Sequence, residues 1–273
     1  MPPASNILTL HYTPPYDWGR FRAFIEKRLI HGIEWLDDHS YGRTFRLHET
    51  SGCFTARHHA PDHAFIVKVE ANCDLSALAL ITTNIRRVLD LNAESRLIDQ
   101  HLQNSYPFGN RFLPGIRIPR CWGVFEAGVR AILGQQVSVA AATALTRVLV
   151  SQYGEAYGDA HLFPTPHILA NAALHEIRLP ARRKAAIAQL ASFCLAHPEA
   201  VPKQWQQLKG IGPWTVDYAR IRGEGAPDVF LAGDLGVRRK LTQLSLDIDS
   251  SDIHQWGSYL TFQLWYLETP ADE

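Results

Sequence analysis

Alternation of apolar and polar positions marks three segments of the first ninety residues as strands. Leu8, Leu10 and Tyr12 alternate with Thr9 and His11, Phe45 and Leu47 with Thr44, Arg46 and His48, and Phe65, Val67 and Val69 with Ile66 and Lys68. A period of two puts one face of each segment on a core and predicts half-buried antiparallel strands. Between the first two, Phe21, Phe24, Ile25 and Leu29 recur at helical spacing behind Asp17, which can cap the helix. A second helix is predicted from about Leu75 to Leu91. The stretch SYPFGNRFLPGIRIPR, rich in Pro and Gly and without a period, reads as a connection. Beyond it the pattern is nearly continuous helix. Trp122, Phe125, Val129, Ile132 and Leu133 form one stripe, and Val139, Ala142, Leu145, Leu149 and Val150 the next, capped by Ser138 and stopped at Gly154. Ile187, Leu190, Ala191 and Cys194 make a third. Tyr259, Leu260, Leu264 and Trp265 or Tyr266 mark the last.

Composition adds size and sign. A chain of 273 residues, 46% of them hydrophobic, can bury two or three small cores. Lys plus Arg equals Asp plus Glu at 27 each, so no overall positive field attracts a polyanion, and nucleic-acid binding requires a local site. The N-terminal residues lack a basic segment leading into an apolar run, and no stretch approaches the length of a membrane span, so a cytoplasmic location is expected. Cys53, Cys73, Cys121 and Cys194 are scattered without a CxxC pair and are expected to be free, buried thiols. In ARHHAPDH, Pro61 breaks the register that would align His58, His59 and His63, which favours a strand end and turn over a metal site.

The stretch QQLKGIGPWTVDYARIRG, residues 206 to 223, carries the first candidate chemistry. An apolar helix end is predicted to meet Gly-Ile-Gly, with Pro213 starting the next helix. Gly210 and Gly212 let the backbone turn tightly and approach a partner closely. Such a hairpin aims unpaired amides and a helix dipole at one spot, a site for a phosphate oxygen that reads no base sequence. A plain tight helical turn is the other reading. Asp234, in PDVFLAGDLGVRRKL, stands just before a predicted helix. An N-cap is its ordinary role, yet a carboxylate beside a groove could also stabilise an oxocarbenium-like sugar and orient or deprotonate water. Asp217, inside a helix, and Asp228, before an apolar run, are weaker choices. Arg238, Arg239 and Lys240 follow; they could contact phosphates or form a solvated basic face.

In combination, LKGIGPWTVDYA and LAGDLGV resemble the hairpin and aspartate signature of the helix-hairpin-helix DNA glycosylase superfamily. PPYDWGRFRAF, FEAGVRAILGQQVSVAAATALT, FPTP and SYLTFQLWYLETPADE extend the likeness over nearly the whole chain, toward the bacterial inducible 3-methyladenine glycosylase family. The resemblance implies a mainly α protein with an N-terminal antiparallel α/β domain (1–95) and two helical domains flanking a cleft. One comprises 118–226 with the hairpin at 206–223; the other joins 96–117 to 227–273 and carries Asp234. It implies a monofunctional enzyme that hydrolyses the glycosidic bond of alkylated bases, of 3-methyladenine or 7-methylguanine type, flipped from double-stranded DNA. Bifunctional members carry a lysine where this chain has Trp214, and the iron–sulfur branch carries C-terminal cysteines absent after Cys194.

By the same resemblance, Trp214, Tyr218, Trp265 and Phe24 would form the base pocket, where a cationic alkylpurine gains cation–π attraction. Gln136 takes the place of an apolar wedge that fills the gap left by flipping, and Gly236 replaces a larger apolar residue, which suggests a roomier cleft edge. The family's hairpin also binds a monovalent cation through backbone carbonyls, here those of Leu208 and Ile211; no other cofactor is implied, and a monomer is expected. The alternatives are a non-catalytic DNA-binding hairpin module, a glycosylase for another lesion class, and a nucleosidase acting on free nucleosides.

Overall fold

The three strands lie where alternation placed them, joined by two more. In the computed structural model, which describes residues 5–246, 248, 253 and 255–267, β1 (Ser5–His11), β2 (Glu34–Leu36), β3 (Ser40–Leu47), β4 (Thr50–His59) and β5 (Ala64–Ala71) form one antiparallel sheet in the order β1-β5-β4-β3-β2. Leu8 pairs with Val67 and Leu10 with Phe65, so the alternating apolar residues share a face. β4 escaped the pattern because its buried positions are Gly52, Phe54 and Ala56, two of which are too small to give a hydrophobic signal. The His-rich piece is the end of β4 followed by a 3-10 turn at Ala60–Asp62. Among the described residues no group of His, Cys, Asp and Glu could hold a metal.

Two helices flank the sheet, each started by an aspartate. α1 (Trp18–Glu26) begins at Asp17, which accepts the Arg20 N–H at 2.9 Å, and α2 (Leu75–Val88) at Asp74, which accepts that of Ala77 at 2.8 Å. Ile81, Ile85 and Val88 of α2 close the first core over Phe54, Val67 and Val69. Trp122 also belongs to this core. It precedes the N-cap of α4 (Val124–Gly134), stacks on Phe45 at 4.6 Å and donates to the Arg46 carbonyl at 2.8 Å. The stripe predicted to include it starts at Val124 instead, because Gly123 caps α4 and cuts Trp122 off.

A second core gathers α4, α5 (Val139–Tyr153), α6 (Pro166–Ala170), α7 (Ala181–Ala196) and α8 (Pro213–Ala219). Ser138 caps α5 through the Ala141 N–H and Gly154 ends it. Val139, expected inside, is 42% exposed: this first turn borders a cleft. A third core joins α3 (Ser95–Ser105), Ile116, Ile118, α9 (Leu235–Gln243) and α10 (Gly257–Tyr266). The protein is thus mainly α with an N-terminal antiparallel α/β unit.

The cores are tied together. Phe21 and Ile25 of α1 face the sheet, whereas Phe24 packs into the third core. Arg43 of β3 meets Glu126 of α4 with contacts of 2.7 and 3.1 Å, and Arg130 reaches both Glu126 and Glu34, forming a buried four-charge network. Burial raises the cost of the Glu126 charge, but Arg43 and Arg130 outweigh it and hold the carboxyl below its ordinary value. None of the described helices is long and apolar enough to cross a membrane. Of the four free cysteines only Cys121 is fully buried; the other three are partly exposed.

Candidate active site

Between the second and third cores runs a cleft of about 1560 Å³, larger than a small-molecule pocket. Its walls come from α1, the α4–α5 loop, the hairpin with α8, the start of α9 and the end of α10. The chain is neutral overall, yet the described cleft wall carries Arg20, Lys27, Arg28, Arg111, Arg130, Arg222, Arg239 and Lys240 against a single acid, Asp234. Charge segregation supplies the local positive site that the composition withheld.

The hairpin differs in one respect from its sequence reading. The segment before it is a 3-10 turn, Pro202–Gln207, not the end of an α-helix; Pro202 starts it and Trp205 is buried beneath it against Gly128. Gly210 takes φ +89°, and a Cβ there would lie 3.1 Å from that of Ala186, so both backbone and packing require glycine. Gly212 is different. Its backbone is extended and a Cβ would meet nothing within 4 Å, so the room around it faces outward, in front of the N-terminus of α8. Gln135 braces the turn, donating through Nε2 to the Gly210 carbonyl and to Thr215 Oγ1, each at 3.0 Å. Pro213 occupies the first turn of α8, which continues into a single π turn at Arg220–Glu224 closed by Gly225 at φ +92°.

Asp234 ends a loop from Pro227 and caps α9, accepting the N–H groups of Gly236 and Val237 on Oδ1 at 2.9 and 3.1 Å. Two indoles add to these bonds. Trp265 Nε1 donates to Oδ1 and Trp214 Nε1 to Oδ2, both at 3.0 Å. The carboxylate is therefore fixed from three elements, α8, α9 and α10, with Oδ2 least engaged. As an acceptor-only group when ionised, it suits the four donors that converge on it. Its capping role and its position in the cleft coincide.

The four aromatic residues of the expected base pocket all line this cleft. Trp214 and Tyr218 lie 5.3 Å apart on α8, one turn from each other. Phe24 is the most buried of them, with the Arg28 guanidinium 3.7 Å from its ring centre and Phe262, Trp265 and Tyr266 packed around it, so it forms the back of the cleft wall. Gln136 is exposed in the α4–α5 loop at φ +56°, with its Oε1 3.4 Å from Arg182. Arg238 and Arg239 are exposed, whereas Lys240 is only 9% exposed and sits in the cleft wall, so no outward-facing basic triplet exists. Helical rotation separates it from its two neighbours. Gly236 is exposed on the cleft edge, and a Cβ there would lie 3.0 Å from Asp234 Oδ1 and 3.6 Å from Trp265. Glycine at this position makes room for the carboxylate itself.

Sequence reasoning missed Arg28, Arg222 and Tyr266, which also face the cleft. A signal was present: Arg28 stands four residues after Phe24, and Trp214, Tyr218 and Arg222 follow one another at intervals of four, placing each set on one helical face.

Residues 7–123 match the AlkA N-terminal domain family and residues 129–254 the HhH-GPD superfamily of base excision DNA repair proteins. The chain is 32% identical to DNA-3-methyladenine glycosylase 2 of Escherichia coli K12, over 95% of this chain and 97% of that one. It is 34% identical to a probable bifunctional transcriptional activator/DNA repair enzyme AlkA of Mycobacterium tuberculosis over 97% of this chain and 58% of that longer protein. Among solved structures, a 3-methyladenine DNA-glycosylase from Archaeoglobus fulgidus shares the fold with a TM-score of 0.76 at 21% identity, covering 94% of this chain and 97% of that one.

Proposed function

The chain belongs to the DNA-3-methyladenine glycosylase 2 family, and we infer that it is a monofunctional DNA glycosylase that releases alkylated bases flipped from double-stranded DNA, a step of base excision repair. The observation that carries this reading is Asp234, a carboxylate held by four N–H donors inside a basic cleft and next to an outward-facing hairpin.

The chemistry follows from that placement. The hairpin amides at Gly210, Gly212 and Trp214 hold one DNA strand by a phosphate, and the exposed cations of the wall, Lys27, Arg111 and Arg239, neutralise its neighbours. Flipping costs a few kcal/mol, least for a poorly paired lesion, which contributes to selection. Gln136 fills the vacated stack and offers its amide to the orphaned base. The faces of Trp214, Tyr218 and Trp265 receive the flipped base, where a cationic alkylpurine gains on the order of 1–2 kcal/mol. As the C1′–N bond lengthens, positive charge grows on the sugar, and Oδ2 of Asp234 faces it and takes up the proton of the attacking water. Trp214 stands where a Schiff-base lysine would be, so no strand cleavage accompanies base release.

At the hairpin, the Leu208 carbonyl already accepts the Ile211 N–H at 3.1 Å. That bond fixes the carbonyl while leaving a second lone pair. With the Ile211 carbonyl it would hold a monovalent cation that draws in the phosphate. The enzyme acts as a cytoplasmic monomer.

Free base released from methylated duplex DNA by the wild type, with a strand that breaks only on hot alkali, and its loss in Asp234→Asn, is the expected result. DNA binding without base release by the wild type would overturn the reading and leave a binding module.

A further inference from the structure

Two guanidinium groups stand at the back of the base pocket with no carboxylate within ion-pair distance among the described residues. Arg28 lies over the Phe24 ring at 3.7 Å, and its one hydrogen bond among the described residues is a long contact of 3.4 Å to the Phe24 carbonyl. Arg222 comes from the π turn that follows α8. It is 4% exposed, donates to Tyr218 Oη at 3.0 Å and lies 4.8 Å from the same Phe24 ring. The Tyr266 hydroxyl, buried alongside, has no partner among the described residues. By contrast Arg130, which also lines the cleft, binds Glu34 and Glu126, and Arg147 behind it holds the Leu29 carbonyl with two contacts of 2.9 and 3.1 Å. Burial, with a smaller contribution from Arg222, lowers the Arg28 pKa to about 10 against the opposing pull of Tyr218, Tyr266 and Asp234, so it keeps its charge at neutral pH.

A half-buried cation with one long hydrogen bond and no ion pair among the described residues is poorly compensated, and it sits beside aromatic faces suited to a cationic base, which it repels. Both facts make sense if the charge is used when the bond breaks. We propose that Arg28, backed by Arg222, is a specificity-determining hydrogen-bond donor to the departing base, and that it serves lesions whose base is neutral before cleavage. This rests on the glycosylase reading above.

The two lesion classes differ in their charge balance. When C1′–N9 of a 7-methylguanine nucleotide breaks, the bonding pair leaves on a base that was cationic and becomes neutral; water adds to C1′ and its proton passes through Asp234 to solvent. When the base is neutral, as in hypoxanthine, the same pair leaves an anion. The anion is held by the N–H groups of Arg28, which stays protonated, until it takes the proton that the attacking water gives up. Donors aimed where charge develops act on the transition state and not on the bound lesion.

Single-turnover rates of release of hypoxanthine and 7-methylguanine from duplex DNA, at saturating protein, test this in wild type, Arg28→Leu and Arg28→Lys. In Arg28→Leu the hypoxanthine rate is expected to fall at least 30-fold and the 7-methylguanine rate to stay within threefold or rise; 30-fold corresponds to roughly 2 kcal/mol, the size of one charged hydrogen bond. Arg28→Lys keeps the charge and loses the planar fork, and is expected to show a smaller change in the same ratio. Circular dichroism reports folding, and the lysine variant carries the test should the leucine variant not fold. Equal losses for both lesions would make Arg28 a phosphate anchor or a packing residue and overturn the proposal, as would a wild type that releases 7-methylguanine and not hypoxanthine. Release of neither lesion by the wild type would overturn the glycosylase reading as well.

Discussion

Replacing the indoles that hold Asp234 with phenylalanine separates two roles that both assign to the same side chains. Trp214→Phe keeps an aromatic face for the flipped base but removes the N–H that meets Oδ2 at 3.0 Å; Trp265→Phe removes the one that meets Oδ1 at the same distance. A hydrogen bond to a charged group contributes about 1.5–3 kcal/mol. Asp234 is partly exposed, so the lower part of that range applies, about 1.5 kcal/mol, or roughly tenfold in rate. Oδ1 keeps two backbone donors without Trp265, whereas Oδ2 loses its one described donor without Trp214. The loss is therefore expected to be larger in Trp214→Phe. The assay is single-turnover release of 7-methylguanine across protein concentrations: the limiting rate reports the carboxylate and the half-saturation concentration reports base and DNA binding. A limiting rate within twofold of wild type in Trp214→Phe, with half-saturation raised instead, would show that the indole only stacks and that its bond to Asp234 is incidental.

Three further substitutions probe neighbouring features. Gly212→Val places its side chain in the open space before α8; duplex affinity is expected to fall at least tenfold with the melting temperature within about 2 °C of wild type, and unchanged affinity would remove the phosphate from the hairpin. Gly236→Ala gains up to about 1 kcal/mol of helix propensity but presses a Cβ to 3.0 Å from Asp234 Oδ1, so stability should hold or rise while base release slows about tenfold; full activity would mean that the carboxylate can move without consequence. Glu126→Gln leaves Arg43 and Arg130 short of a countercharge and is expected to cost about 3 kcal/mol of stability, measured by urea unfolding near pH 7. Because the folded Glu126 carboxyl lies below its ordinary value, its contribution is present above the unfolded pKa and lost as pH falls through the folded one. The variant should therefore show a shallower loss of stability than the wild type below about pH 4.5, and parallel acid limbs would refute the assignment.

Much of the fold was legible where hydrophobic residues are large and regularly spaced. β1, β3, β5 and α5 announce themselves by period, and Asp17 and Ser138 sit at the helix starts they cap. What stayed hidden lacks bulk or breaks a period: β4 buries Gly52 and Ala56, β2 has three residues, and α3 sits next to a Pro- and Gly-rich connection whose irregularity masks it. At the site, the tight turn at Gly210 and the helix cap at Asp234 were legible because turn chemistry and capping are local. The indole bonds to Asp234 were not. They join residues 20 and 31 positions apart, and nothing in the spacing of a tryptophan tells whether its face or its edge will be used. The stacking of Arg28 on Phe24, from just beyond the end of α1, was equally out of reach.

The N-terminal unit is a wall of the site and not an appendage to it. Its α1 faces the sheet with Phe21 and Ile25, while Phe24, stacked beside Trp265 at 6.1 Å, and Arg28, just past the helix end, line the cleft. The register of α1 therefore sets how far the back of the pocket stands from Asp234. That register is anchored at three points: Asp17 caps the helix, Trp18 Nε1 donates to the Asp38 carbonyl at 2.9 Å, and the Asp17 N–H reaches the Gly115 carbonyl at 2.8 Å. The last of these joins α1 to the connection that leads into the third core, where α10 delivers Trp265. A base entering the cleft thus meets residues of the N-terminal unit as well as of the two helical cores. The buried Arg43–Glu126–Arg130–Glu34 network holds the first core against the second at the same depth. A buried ion network contributes little net stability compared with apolar packing. What it supplies here is a fixed geometry between a sheet and a helix that share no continuous hydrophobic core, and Arg130 carries that geometry into the wall of the cleft.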